Sequence, residues 1–246
     1  MIMQYSKADG NGRTYLKGFR EPEGDFFRSG AVQLARELIG CLLRRETARG
    51  PLSGMIVETE AYTADDPASH SFRGRTSRNW PMFEGGGLAY VYLIYGVHNC
   101  FNVTAGKEGS GQAVLVRALH PMEGLGIMRA NRGGGPESRF CSGPGKLCQA
   151  LDIDRRFNGV RLGEGGLGLL VPDGGRGHSI SVDRRIGISR GTDLGRRFLL
   201  EGSPWVSRGR RPDPAVTEEY PEGQDGQSYP FEDREEGVHV PVKRAT

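Results

Sequence analysis

The sequence has few cysteines, few aromatic residues and no long apolar run. Its four cysteines form no CxxC pair, which argues against a zinc knuckle or an iron–sulfur cluster. It contains no run of 18 apolar residues and no apolar segment after a charged N-terminus, so we expect neither a membrane span nor a secretion signal. These absences predict a cytoplasmic protein whose cysteines are buried free thiols.

Composition and charge predict one folded domain between two tails. Glycine contributes 39 of 246 residues, so turns and irregular connections must form much of the fold. Residues 208–246 hold six Lys/Arg and nine Asp/Glu, a net charge of −3, whereas the whole chain carries +3. The remainder therefore carries +6, which suits a polyanionic partner. We expect a flexible arm over residues 1–25, a folded domain over 26–207 and a disordered acidic, Pro- and Gly-rich tail over 208–246.

The segment at residues 56–62 has the pattern of a strand that carries acids on one face. Its alternation places Glu58, Glu60 and Tyr62 on the same side. Acids on a half-buried strand need partners or a chemical role. Arg117 stands inside an otherwise apolar strand and needs a carboxylate, so Glu58 and Glu60 are its natural candidates. The alternative is an edge strand whose acids lie in solvent.

Periodicity predicts the other elements. A helix is expected at residues 31–39, with Ser29 as its N-cap and Gly40 at its end, and residues 63–87 are expected to be irregular but functional. Further predicted segments are strands at 41–46 and 52–62 joined as a hairpin, a strand at 88–95 that turns at 96–99 and returns at 100–105, a strand at 113–119, helices at 122–132 and 147–151, and strands at 167–171, 179–188 and 197–201.

Several motifs in the same order resemble one known family. They are IVETEAY at 56–62, His70, YVYLIYG at 90–96, Asn102, VRALHP at 116–121, CSGPGKLCQAL at 141–151 and GSPWVS at 202–207. Together they resemble the alkyladenine (3-methyladenine) DNA glycosylase family from about residue 27 to residue 207. The resemblance implies an α+β fold: a single mixed domain on a curved antiparallel β-sheet, with a protruding, DNA-inserting β-hairpin and surrounding helices.

The resemblance also implies an activity and roles for individual residues. It implies a monofunctional enzyme that flips alkylated or deaminated purines out of duplex DNA and hydrolyses the N-glycosidic bond without cleaving the strand. Glu60 would activate water and Arg117 would help to hold it. The base pocket would comprise Tyr62, His70, Tyr92, Asn102 and Ile188, with Asn102 guarding against normal guanine. Tyr95, Val97 and His98 would form the intercalating tip.

The implied partner is double-stranded DNA that contains damaged purines. Candidate contacts to its backbone are Arg73, Arg75, Arg78 and Lys146. We expect a monomer that binds no membrane, uses no cofactor or metal, and associates with the nucleoid if it is bacterial. Two residues depart from the family pattern: His98 stands where a second bulky aromatic can occur, and Gly145 stands where serine is common.

Two other functions remain open on the sequence. A DNA-lesion-binding protein without catalysis could use the same wedge and pocket, although it would not need the carboxylate of Glu60. A sugar hydrolase could use Glu58 and Glu60 as an acid–base pair, since alternate strand positions lie about 7 Å apart. That hydrolase would leave the tyrosine at the hairpin tip and the basic loop unexplained.

Overall fold

The computed structural model describes residues 17–174 and 177–207. Within these ranges nine strands form one sheet and three α-helices accompany it. The strands are β1 Phe19–Arg20, β2 Leu42–Thr47, β3 Gly50–Tyr62, β4 Ala89–Ile94, β5 His98–Ala105, β6 Gln112–Glu123, β7 Leu167–Pro172, β8 Ile180–Asp183 and β9 Arg197–Leu200; the helices are α1 Ala31–Leu38, α2 Leu125–Asn131 and α3 Pro144–Ala150.

The sheet confirms the predicted mixed α+β class with antiparallel pairing. Its order is β1-β7-β2-β3-β6-β5-β4, while β9 pairs with β3 and β8 pairs with β9. Because β6 occupies one edge of β3, β2 and β9 must share its other edge. The alternative of an edge strand at residues 56–62 is therefore wrong. No helix in the described ranges has the length and apolar character that crossing a membrane requires.

Part of the predicted arm belongs to the sheet. Phe19 and Arg20 pair with Pro172 and Val171 of β7, whereas the sequence predicted a flexible segment up to residue 25. Residues 1–16 of that arm and the whole predicted acidic tail lie outside the described residues.

Irregular pairing between β3 and β6 occurs beside the two acids. Ile56 pairs with Leu119 and Glu58 with Ala118, so Val57 has no partner in this ladder. The next pair is Thr59 with Val116, which leaves Arg117 unpaired on the opposite strand. Bulges of this kind bend a strand and re-aim side chains, and they occur often next to functional sites.

Helix α1 forms where its apolar periodicity predicted it, but Ser29 does not cap it. The buried residues Ala31, Leu34, Ala35 and Leu38 share one face. Gly30 is the N-cap, and the Ser29 hydroxyl donates instead to the carbonyl of Phe26. The backbone N–H of Ala31 donates to Gln112 Oε1 at 2.8 Å. A side chain 81 positions away on β6 therefore satisfies this helix end.

The C-terminal carbonyls of α1 also find partners outside the helix. Thr59 Oγ1 on β3 donates to the carbonyl of Ala35 at 2.8 Å, and both groups are buried. The backbone N–H of Ile39 donates to the carbonyl of Arg36, so it does not donate to the carbonyl of Ala35. The hydroxyl of Thr59 thus ties the end of α1 to the central strand.

The other predicted elements are present with shifted ends. The β2–β3 hairpin, β4, β5, β7 and β9 are confirmed within a few residues. Strand β6 continues to Glu123, so α2 begins only at Leu125, and α3 begins at Pro144, whose fixed φ suits a first helical position. The predicted strand at 179–188 ends at Asp183, because the following residues turn into the site described below.

We expect Thr59→Val to lower the free energy of unfolding by about 1–2 kcal/mol, because it leaves the buried carbonyl of Ala35 without a donor. Urea unfolding followed by far-UV circular dichroism measures this loss. Thr192→Val, at an exposed loop position, is the matched control and should be neutral. Equal stabilities for the two variants would show that the hydrogen bond to Ala35 contributes nothing.

Candidate active site

The two acids of β3 lie fully buried on the same face of the central strand. Glu58 and Glu60 are both 0% exposed, and Arg117 is 7% exposed. Arg117 Nε donates to Glu58 Oε1 at 3.0 Å, and its Nη1 lies 3.2 Å from Glu60 Oε1. The prediction that Arg117 pairs with these carboxylates is correct, and one guanidinium joins both of them.

Glu58 accepts four hydrogen bonds, most of them from distant parts of the chain. Its Oε1 accepts from Arg197 Nε at 2.7 Å and from Ser207 Oγ at 2.8 Å, and its Oε2 accepts from the backbone N–H of Ser207. Arg197 also donates to Asp183 at 2.8 Å. Glu58 therefore orients Arg117 and fastens the last described residue to β3.

Glu60 also has three partner residues but accepts fewer hydrogen bonds than Glu58. The backbone N–H of Ile186 donates to Oε1 at 2.7 Å, and the Tyr62 hydroxyl donates to Oε2 at 2.9 Å. Together with Arg117, these groups hold the carboxylate in one orientation. Oε2 carries a single protein hydrogen bond, so it keeps an acceptor position for another molecule.

Burial and neighbouring charge fix the protonation of Tyr62 and Arg117. Burial, reinforced by the Glu60 carboxylate, raises the pKa of Tyr62 far above its usual value, so the phenol stays protonated and can donate. Burial alone would lower the pKa of Arg117, but the carboxylates of Glu60 and Glu58 outweigh it, and the pKa is raised. Arg117 is thus a permanent cation beside Glu60.

The loop after β8 is held by a buried ion pair that the sequence did not predict. Arg185 donates to both carboxylate oxygens of Asp66, and both side chains are fully buried. The Arg185 guanidinium also lies 4.7 Å from the centre of the Tyr62 ring. This pair brings Ile186 to Glu60. The sequence carries little signal for this pair, because Arg185 follows another arginine and its partner is 119 positions away.

The rings of His70, Tyr90 and Tyr92 contact one another and form an aromatic wall near the acids. The His70 and Tyr92 rings are 4.6 Å apart in an edge-to-face arrangement, and His70 Nδ1 lies 2.8 Å from the hydroxyl of Tyr90. Tyr90 is buried with Met82 and Ala113, which confirms that one of the two strand tyrosines serves the core. Arg78, predicted as a backbone contact, lies over the Tyr92 ring at 5.2 Å.

The protonation of Tyr90 bears on the tautomer of His70. Burial is the main cause that raises the pKa of Tyr90 to about 12, so its hydroxyl is protonated and can donate. When this hydroxyl donates to His70 Nδ1, which lies 2.8 Å away, the His70 proton lies on Nε2. The surrounding protein atoms and the Arg78 charge lower the pKa of His70 to about 4, although part of the ring is exposed.

The sheet register joins the acids to the aromatic wall. Glu60 pairs with Leu115, Leu115 with Asn102, and Asn102 with Tyr90, across four adjacent strands. Directly paired residues share a face, so Glu60 and Asn102 lie on the same side of the sheet. Asn102 is buried and its Nδ2 donates to the carbonyl of Tyr90 at 3.0 Å. These residues of the predicted pocket therefore share one surface.

The tip of the β4–β5 hairpin is exposed and conformationally unusual. Tyr95 is 84% exposed with a φ of 52°, and Val97 is 70% exposed. A positive φ is uncommon outside glycine and often marks a functional site. The base of the hairpin is held instead, since residues 158–160 bond to the outer edge of β4 at Ala89 and Val91.

The two departures from the family pattern meet at this hairpin. A Cβ atom built on Gly145 would stand 3.1 Å from His98 Cβ and 3.2 Å from His98 Cγ. The side chain of His98 therefore packs closely against Gly145, and a side chain at position 145 would crowd it. Lys146, the next residue, reaches back to Ser142, with Nζ 3.2 Å from its hydroxyl.

A cleft of about 410 Å³ opens beside the aromatic wall. It is lined by Pro67, Ala68, Ser69, His70, Phe72, Arg73, Gly187, Ile188, Ser189 and Arg190. His70, Ile188 and Arg73 line this cleft together, whereas Glu60, Tyr62 and Tyr92 are not among the lining residues. Arg75 points elsewhere and pairs with Glu84.

Metal ligands are not grouped in the described ranges. Across residues 17–174 and 177–207, no cluster of three or more His, Cys, Asp and Glu side chains has an arrangement that could hold a metal ion. The four cysteines are buried and free. The expectation of a site without metal or cofactor stays a prediction.

Comparison with known proteins identifies the family. The model of the methylpurine-DNA glycosylase family matches residues 25–204. A protein of Methanoculleus marisnigri named "Putative 3-methyladenine DNA glycosylase" is 47% identical over 188 residues, which cover 74% of this chain and 96% of that protein.

Proteins of the same name from two other organisms show similar agreement. That of Carboxydothermus hydrogenoformans is 45% identical, with 74% of this chain and 96% of that protein covered. That of Agrobacterium fabrum is 46% identical, with 76% and 93% covered. The family match extends over β3, the loop with His70 and the β4–β5 hairpin, and the chain belongs to the methylpurine-DNA glycosylase family.

Proposed function

We propose that the protein is a monofunctional DNA glycosylase of base-excision repair. It flips alkylated or deaminated purines out of duplex DNA and hydrolyses their N-glycosidic bond, leaving an abasic site. The observation that carries this proposal is the setting of Glu60: a buried carboxylate surrounded by donors, on the sheet face that also bears Asn102. Family membership supports it, and the relatives are named for 3-methyladenine.

Extrusion of the damaged nucleotide requires a group that fills its place in the helix. Unstacking a base costs a few kcal/mol per step, and proteins offset it with a wedge at the minor groove. Tyr95 suits this role because it stands exposed at the end of a hairpin whose base is anchored to residues 158–160. Val97 and His98 lie on the same tip and would support the neighbouring base pair.

The flipped purine would be enclosed by Tyr62, His70 and Tyr92. Aromatic faces bind planar bases by stacking, worth about 1–3 kcal/mol per base, and a cationic base such as 7-methylguanine gains about 0.5–2 kcal/mol of cation–π attraction. Neutral His70 would offer its Nε2–H to acceptors on 3-methyladenine, hypoxanthine or ethenoadenine. Asn102 would exclude normal guanine, and Ile188 would close the cleft side.

Hydrolysis would proceed by attack of a water oxygen on C1′ as the bond from C1′ to the base nitrogen breaks. The electron pair of that bond leaves with the base, and Glu60 Oε2 takes the proton of the water. An oxocarbenium-like sugar forms on the way, as in glycoside hydrolysis, and a nearby carboxylate stabilises its positive charge. Arg117 and the Ile186 N–H hold Glu60 in place for this step.

The structure argues against Glu58 as a second catalytic acid. Glu58 is fully buried and accepts hydrogen bonds from Arg117, Arg197 and Ser207. Such a carboxylate cannot approach a substrate without breaking that network, so the sugar-hydrolase alternative loses its acid–base pair.

The lesion-binding protein without catalysis remains the second candidate. Duplexes that carry hypoxanthine, ethenoadenine or 7-methylguanine should acquire alkali-labile sites without added metal or nucleotide, and their absence would favour the binding protein.

We expect Glu60→Gln to slow single-turnover excision by on the order of 10²–10⁴-fold while binding of lesion DNA survives. Glutamine suits the test because its oxygen can face Arg117 and Ile186, while the Tyr62 hydroxyl can turn and accept from its NH2 group. Quenched-flow excision and fluorescence anisotropy measure the two quantities. Glu164→Gln, at an exposed site, is the control. A rate within threefold of wild type would remove Glu60 from the mechanism.

We expect Tyr95→Ala and Tyr95→Asn to weaken excision from duplex DNA about tenfold or more, with less harm on an unpaired lesion, since only duplex extrusion needs the wedge. Asparagine tolerates positive φ, so it separates the lost ring from strain in the turn. Tyr95→Phe keeps the ring and serves as control. A loss confined to the alanine variant would assign the effect to the turn instead.

We expect the pH profile of hypoxanthine excision to contain no limb from His70 between about pH 5.5 and 8. A histidine whose pKa is lowered to about 4 is neutral throughout this range and becomes charged only as the pH falls further. Wild type and His70→Gln should therefore give parallel profiles in single-turnover assays, and His70→Ala should be slower than both. A limb near pH 6.5 that only wild type shows would mean that His70 donates a proton.

A further inference from the structure

We propose that Asp66 and Arg185 set how well the base pocket accepts purines that carry a positive charge. Arg185 places a cation against one face of the Tyr62 ring, and Asp66 neutralises that cation. The ion pair would thereby let the pocket bind cationic bases such as 7-methylguanine as well as neutral ones such as hypoxanthine. This inference rests on the proposed function, since it takes Tyr62 as one wall of the pocket for the flipped base.

The guanidinium of Arg185 is held in one place against Tyr62. The side chain has no exposed surface. Besides Asp66, it donates to the carbonyl of Ala61 at 3.0 Å and to that of Gly191 at 3.2 Å. Its Cζ atom lies 4.7 Å from the centre of the Tyr62 ring. Because the guanidinium covers this face, a stacked purine has to use the opposite face of the ring.

A cation on one face of an aromatic ring opposes a second cation on the other face. A purine stacked on Tyr62 would lie about 3.5 Å from the ring, so a positive charge on it would stand roughly 8 Å from the guanidinium. At that separation the repulsion inside a protein is strong enough to change an affinity several-fold. The charge also reaches the phenol: burial is the main cause that raises the pKa of Tyr62, and Arg185 acts in the opposite direction.

Asp66 supplies the charge that compensates Arg185. Its carboxylate is fully buried, and both of its oxygens accept from the guanidinium, Oδ1 at 3.0 Å from Nη2. The backbone N–H of Ala68 donates to the same Oδ1 at 2.9 Å. Arg196 lies 3.4 Å from Oδ2, but it is partly exposed and also donates to the hydroxyl of Thr63. Without Asp66, the charge of Arg185 would be buried and uncompensated.

The ring of Tyr92, on the other side of the pocket, has a cation in a different setting. Arg78 lies over it at 5.2 Å. The Arg78 side chain is exposed, so water and salt screen its charge. Charges that are buried are screened much less. Solvent therefore weakens the effect of Arg78 on a bound base, whereas the effect of Arg185 has to be offset by a protein anion.

Two duplexes of the same shape isolate the charge of the base. One carries 7-methylguanine on a 2′-fluorinated sugar, which resists cleavage because fluorine disfavours the oxocarbenium-like sugar. The other carries 7-methyl-7-deazaguanine on the same sugar, a base with the same outline and no positive charge. Fluorescence anisotropy with the full-length chain, in slightly acidic buffer that keeps the methylated base cationic, gives the ratio of the two affinities.

We expect Asp66→Asn to lower the affinity ratio of the cationic to the neutral base about threefold or more, because it leaves the guanidinium uncompensated. Arg185→Gln removes the cation and should raise the ratio, and the double variant should lie between the two. Asp65→Asn is the matched control. It removes the same charge one position away, from an exposed side chain, and should keep the wild-type ratio.

Loss of one member of a buried ion pair is destabilising. If Asp66→Asn does not fold, Arg185→Gln and the double variant decide the question, because Asp66 keeps Arg196 and the N–H of Ala68 as partners in Arg185→Gln. A ratio that is the same in wild type and all variants, or a lower ratio in Arg185→Gln, would overturn the inference and leave the proposed function standing. Failure of wild type to release hypoxanthine or 7-methylguanine from ordinary duplexes is a separate result and would refute the proposed function itself.

Discussion

The whole site depends on the burial of two carboxylates two positions apart on the central strand. Taking an unpaired carboxylate out of water costs several kcal/mol, so Glu58 and Glu60 require cations and hydrogen-bond donors. Arg117 serves both, and Arg197 together with Ser207 completes the shell of Glu58. The last described strand and the last described residue are consequently held against β3 by charge as well as by the apolar core.

Glu58 and Glu60 share Arg117 but differ in their other hydrogen-bond donors. Glu58 accepts hydrogen bonds from two arginines and from both the hydroxyl and the backbone of Ser207. Glu60 accepts one hydrogen bond each from Tyr62 and the Ile186 backbone and is ion-paired with Arg117. A second buried ion pair, Asp66 with Arg185, sets this difference by holding Ile186 where it reaches Glu60.

The two residues that the sequence analysis expected to depart from the family pattern lie next to each other. His98 packs closely against Gly145, behind the tip of the hairpin. The tip still presents Tyr95 to solvent with a positive φ. The packing of His98 against Gly145 and the exposure of Tyr95 are thus separate properties of the hairpin.

The sequence by itself determined which residues share a face of β3, because period-two alternation places Glu58, Glu60 and Tyr62 on one side. It also predicted a carboxylate partner for Arg117, the single arginine of an apolar strand. Local periodicity also located α1, the β2–β3 hairpin and β4. Only the tertiary structure decided which donors serve each acid, because Arg197 and Ser207 are 139 and 149 positions from Glu58. Likewise, residues 63–87 have no periodic pattern, and the contacts that hold them include an ion pair to Arg185 and the edge-to-face contact of His70 with Tyr92 on β4. Alternation assigns residues to the two faces of a strand, whereas pairing across the fold depends on chain topology and on the cost of leaving a buried charge alone.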